Sequence, residues 1–132
     1  AGPGKAPTSR REELLSAMCA IREYESRLTA RLIHGLLAIP GLTVYGITDA
    51  KRAGWRTPTI SVRLAGHSPR ELSRSLAGRG IFAWDGNYYA INLTDLLGVE
   101  DTGGMLRIGL VHYNTAEEVD RLLAALGEIV SP

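Results

Sequence analysis

The chain has 132 residues, 45% hydrophobic and 22% charged, with a net charge of +1, the proportions of one ordinary domain with its own core. No stretch approaches the roughly 20 apolar residues that span a bilayer. The charges are uneven: residues 51 to 80 hold Lys51, Arg52, Arg56, Arg63, Arg70, Arg74 and Arg79 against Glu71 alone, while residues 95 to 132 hold seven acids against Arg107 and Arg121. Overall neutrality and the lack of aromatic interleaving make the basic third a solvated surface rather than a nucleic-acid footprint. The start lacks the apolar core of a secretory signal, and the single cysteine, Cys19, fits a reducing compartment. The expectation is a cytoplasmic protein with no membrane or nucleic-acid partner.

Residues 1 to 8 are rich in glycine and proline and read as a flexible tail, leaving residues 9 to 132 as a single domain. Ser9 to Glu12 has the form of a capping box, opening a helix from near Arg10. Leu14, Met18, Ile21, Leu28, Leu32 and Leu36 recur at helical spacings as one apolar stripe, and Pro40-Gly41 stops the run. A helix of roughly 28 residues is longer than a domain of this size can cover.

Leu42 to Tyr45 reads as a short strand, Thr48 to Thr57 as a polar loop, and Thr59 to Leu64 as a strand with period-two alternation. Ser68-Pro69-Arg70-Glu71 forms a second capping box with proline at the first helical position, and that helix ends near Arg79-Gly80. Ile81 to Trp84 reads as a strand entering an Asp85-Gly86-Asn87 turn, with Tyr88 to Ile91 extended beyond it. Asn92 to Leu97 suits a short helix and Gly98 to Gly104 an acidic loop. Met105 to Val111 suits a last strand. Thr115 to Glu118 caps a final helix striped by Val119, Leu122, Leu123, Leu126, Ile129 and Val130. The class is α+β: a small, mostly antiparallel sheet covered by helices, of which a ferredoxin-like arrangement is one solution.

Arg107 is the residue to explain, because a cation on a strand flanked by apolar neighbours needs an anion. The candidates are a ligand, Glu100 or Asp101, or a helix end. Tyr88 and Tyr89 are adjacent, so in an extended segment at most one faces a given pocket. His34, His67 and His112 are scattered, with no acid or cysteine at metal-ligand spacing, and read as structural or surface residues.

The run Leu106 to Leu122, with Arg107 on the strand and the capped helix behind it, resembles the C-terminal end of class V aminotransferases, the pyridoxal-phosphate (PLP) enzymes that include cysteine desulfurases. Arg56 to Ser61 and Gly66 to Pro69 are similar to other small-domain segments of that family, so the likeness extends from about Ser9 to Ile129. The resemblance implies a C-terminal small domain in which Arg107 binds the carboxylate of an amino-acid substrate. It further implies that Trp84, Asn87, Tyr88 and Tyr89 line one wall of the pocket. The family's small domain begins with a long helix, which accounts for the length of the first one here.

PLP enzymes anchor the cofactor on a lysine amine, and the chain has two lysines, Lys5 and Lys51, neither in surroundings like those of the family's cofactor lysine. The resemblance therefore implies a partner, a PLP-binding large domain, with PLP in the full-length protein, a homodimeric assembly, and neither cofactor nor catalysis in this chain alone. Many desulfurases of the family carry Arg-x-Gly-His-His-Cys-Ala, which here aligns with Trp84 to Ala90 and puts Tyr89 at the cysteine. A phenol does not take up sulfur as a thiolate does, which leaves lyase, transaminase or racemase chemistry open. The alternative reading is a free-standing, non-catalytic ferredoxin-like binding or regulatory module.

Overall fold

The structure, a computed structural model, describes residues 9 to 130; the tail expected over residues 1 to 8 lies outside them. Helix α1 runs Arg10–Leu37, with the Ser9 hydroxyl accepting the Glu12 N–H at its start. It is followed by β1 (Leu42–Tyr45) and β2 (Thr59–Leu64), then α2 (Pro69–Ala77) and β3 (Trp84–Gly86). The last elements are α3 (Ile91–Leu96), β4 (Met105–Gly109) and α4 (Ala116–Val130).

The four strands form one sheet in the order β1-β2-β4-β3, with every neighbouring pair antiparallel. β2 and β3 therefore point the same way, α2 connects them, and β4 lies between them. This is a split β-α-β unit with β1 added at the edge of β2.

Alternation along the strands builds the core. Ile60, Val62 and Leu64 of β2, with Leu106 and Ile108 of β4, turn to one face and are buried. Leu28, Leu32 and Leu36 of α1, Leu72 and Leu76 of α2, and Val119, Leu122 and Leu126 of α4 close over them. Burying each of these side chains stabilises the fold by roughly 1.5–3 kcal/mol. The α1 stripe is buried only in its second half: Leu14 and Met18 are exposed, so half of the long helix lies beyond the sheet it packs on. Gly35 brings α1 close to α4, where an added Cβ would collide with Leu123.

Both further capping boxes form. Ser68 and Glu71 exchange side-chain and backbone hydrogen bonds at the start of α2, and Thr115 and Glu118 do the same at α4. Three local expectations are corrected. The loop over residues 48 to 57 contains a 3-10 helix, Ala50–Trp55, started by the Asp49 carboxylate accepting the Lys51 N–H. Ile81 to Ala83 precede the strand instead of forming it, because β4 pairs with Trp84 to Gly86. Tyr88 to Ile91 is not extended: Tyr88 and Tyr89 have φ of 54° and 62°, and α3 begins at Ile91.

Candidate functional site

Helices cover one face of the sheet, and the other carries a row of side chains across all four strands. Tyr45 pairs with Ser61, Ser61 with Arg107, and Arg107 with Trp84. Directly opposed residues of antiparallel strands project to the same side, so these four stand together on the face away from the core. Arg107 is exposed there, whereas its neighbours Leu106 and Ile108 are buried in the core. Its cation is carried on the central part of the sheet, on the open face rather than toward the core.

Arg107 lies over the ring of Tyr88, its guanidinium carbon 4.7 Å from the ring centroid. Among the described residues no carboxylate forms an ion pair with it. Glu100, one expected intramolecular partner, is engaged elsewhere: its carboxylate accepts hydrogen bonds from the Thr94 hydroxyl and from Asn87 Nδ2, the latter at 2.8 Å. The hydrogen bond from Thr94, followed by that from Asn87, holds the Glu100 carboxyl below the usual carboxylate range.

Tyr88 is fixed at its far end. Its hydroxyl lies between two backbone carbonyls, donating toward Trp84 O at 2.6 Å and toward Met105 O. Trp84 is the first residue of β3 and Met105 the first of β4, so the phenol bridges the two paired strands. Burial pushes this phenol up to about 12, against the opposing pull of the Arg107 charge. The group therefore stays neutral and able to donate at physiological pH.

The turn that presents Tyr88 is unusual. Two successive non-glycine residues in the left-handed region cost roughly 1–3 kcal/mol each unless their surroundings hold them there. Asn87 does part of this, its Oδ1 accepting the Tyr89 N–H at 3.1 Å while its Nδ2 donates to Glu100. Beneath the turn Gly104, at φ 71°, meets the backbone of Gly86 so closely that a Cβ would overlap the Gly86 carbonyl. Arg63 of β2 donates to the Gly104 carbonyl. Asn87, Glu100, Gly86 and Gly104 also line a cleft of about 320 Å³ beside the start of α2.

Of the residues singled out from the sequence, Arg107, Trp84 and Tyr88 come together, with Asn87 behind them. Tyr89 is fully exposed at the tip of the turn. The adjacent tyrosines do not alternate across a strand: the left-handed turn directs Tyr88 back onto β4. His112 falls elsewhere, 3.9 Å from Glu25 of α1 and edge-on to Tyr113. The stacking of Tyr88 on Arg107 and the Asn87–Glu100–Thr94 network were not foreseen; the glycines at 86, 103 and 104 were the available signal of a close backbone approach.

Comparison with known proteins defines the class. A family model for aminotransferase class-V matches residues 14–122, and the chain belongs to that family. It is 40% identical over 111 residues to an aminotransferase-like protein of Gibberella zeae, covering 81% of this chain and 27% of that protein. It is 34% identical over 106 residues to a cysteine desulfurase of Cronobacter sakazakii, covering 80% of this chain and 24% of that protein. Among solved structures, the apo cysteine desulfurase of Thermococcus onnurineus NA1 superposes with a TM-score of 0.78 at 25% identity, over 92% of this chain and 28% of that one. The chain thus spans about a quarter of the length of the curated relatives it matches. No helix among the described residues is long and apolar enough to cross a membrane.

Members of this family depend on PLP, and among the described residues no lysine fits the cofactor's attachment. Lys51, the one lysine among the described residues, is exposed on the 3-10 helix. That helix packs against α1, one of the helices on the covered face, whereas Arg107 stands on the open side.

Proposed function

We propose that residues 9 to 132 are the C-terminal small domain of a PLP-dependent class V enzyme and hold an amino-acid substrate by its carboxylate through Arg107. The observation that carries this reading is an arginine on the open sheet face, with its ring support in place and no acidic partner among the described residues. A guanidinium offers a planar pair of N–H donors that a carboxylate fits, and a desolvated pair of this kind is among the stronger polar contacts. Trp84 and Tyr89 would form the wall beside the substrate, and Asn87 would hold the turn that carries Tyr88.

In this reading the lysine that anchors PLP lies in a large domain outside these residues, and the full-length protein is a cytoplasmic homodimer. Tyr89 at the position of the family's persulfide-forming cysteine favours a lyase, transaminase or racemase reaction over sulfur transfer through that residue. The test is Arg107→Ala in the full-length enzyme. Losing a charged hydrogen-bonding partner is worth roughly 1.5–3 kcal/mol, or about ten- to a hundredfold in KM for the amino acid. An unchanged KM in a folded variant would remove Arg107 from the site.

A further inference from the structure

The turn at Tyr88 and Tyr89 is strained, internally braced and directly beside Arg107. We propose that Tyr88 is a positioning residue for Arg107: its ring fixes the guanidinium on the open sheet face with the N–H edges free to meet a substrate carboxylate. This rests on the carboxylate role of Arg107 and adds the means by which the arginine is held ready.

Three observations converge on it. The guanidinium carbon lies over the ring, 4.7 Å from its centroid, and among the described residues no hydrogen bond or ion pair engages the guanidinium N–H groups. The ring cannot swing away, because its hydroxyl is held at carbonyls of both β3 and β4, the strands that carry Trp84 and Arg107. The ring reaches this place only because Tyr88 takes a left-handed backbone, and the next residue does too, in a turn braced by Asn87 and through it by Glu100. An extended Tyr88-Tyr89 segment, the form that tyrosine favours, would lead the chain on past β4 rather than back over it.

Without the ring, a four-bond arginine side chain on an exposed face samples several rotamers and loses that freedom on binding substrate. With the ring in place much of the ordering is complete before the ligand arrives, which is the usual source of affinity from preorganisation. The electrostatic attraction of the ring face for the cation adds to this. The effect therefore falls on recognition of the carboxylate and leaves the reacting atoms untouched.

The experiment uses the full-length protein and two probes differing only at the carboxyl group, L-alanine and L-alaninamide, with binding measured by calorimetry. Wild type is expected to prefer L-alanine, and Arg107→Ala to abolish the preference. Tyr88→Leu, which removes the aromatic face, should reduce the preference by about tenfold, the upper part of the range for a cation–ring contact. In the Arg107→Ala background the same change should have no further effect. Tyr88→Phe keeps the ring and frees its far end; it should lose a smaller part of the preference while retaining the wild-type circular dichroism spectrum. If Tyr88→Leu and Tyr88→Phe keep the full preference while Arg107→Ala loses it, the positioning role is wrong and the clamp stands. A wild type indifferent to the two probes overturns the clamp, and the positioning role with it.

Discussion

Arg31 of α1 and Asp120 of α4 form a two-pronged ion pair, Nε to Oδ1 at 2.7 Å and Nη2 to Oδ2 at 2.6 Å, that joins the first and last helices across 89 positions of sequence. The Arg31 hydrogen bond holds the Asp120 carboxyl below its ordinary value. Glu118, bonded by Asn114 and Thr115, and Glu100 are lowered in the same way. A carboxyl with a depressed folded pKa contributes stability that is present above its unfolded value and lost as pH falls through the folded one. The urea midpoint should therefore be level near neutrality and decline from about pH 5 toward pH 3. Arg31→Met should make that decline shallower, and an acid profile identical in the two proteins would show that the pair does not contribute.

Tyr88 titrates in the opposite sense. Its phenol is raised from 10.0 to about 12, chiefly by burial. A raised folded pKa contributes stability that is complete below the unfolded value and is lost as pH rises through the folded one. In a phenolate absorbance titration of the folded protein, the Tyr88 step should therefore fall at about pH 12. Tyr88→Phe should remove that step. A variant curve that loses amplitude near pH 10 instead would place the Tyr88 hydroxyl in solvent.

Gly104 and Gly127 invite the same substitution with opposite outcomes. Gly104 has a left-handed backbone, and its added methyl would overlap the Gly86 carbonyl. Gly104→Ala should cost about 2–4 kcal/mol, combining backbone strain with overpacking. Gly127 lies inside α4 with open space where its Cβ would be, and Gly127→Ala should stabilise by roughly 0.5–1 kcal/mol. Denaturant unfolding of both variants checks the contrast, and a neutral Gly104→Ala would mean that the β3 and β4 ends do not approach as closely as described.

The elements that could be read from the sequence are those whose signals are local. The Ser9 cap and the Pro40-Gly41 stop bracket α1 at Arg10–Leu37, and period-two alternation marks β2 at Thr59–Leu64. Of the candidate site, the placement of Arg107 on a strand was legible, because a cation between leucine and isoleucine stands out in any strand. What escaped depends on contacts between distant residues. Tyr88 and Tyr89 have the local preference of a strand, but the bonds from Tyr88 to Trp84 and Met105, and from Asn87 to Glu100, favour a left-handed turn. Likewise Ile81 to Ala83 are apolar enough for a strand, yet pairing with β4 begins only at Trp84. No pattern within a few residues contains that information.

In the proposed enzyme these residues form part of a site whose cofactor anchor lies outside them. Borohydride reduction of the full-length protein with PLP, followed by peptide mapping, tests it most directly by locating the modified lysine. The predicted result is a single labelled lysine outside these 132 residues, with Lys5 and Lys51 unmodified. Label fixed stoichiometrically on Lys51 or Lys5 would put the cofactor anchor within this chain.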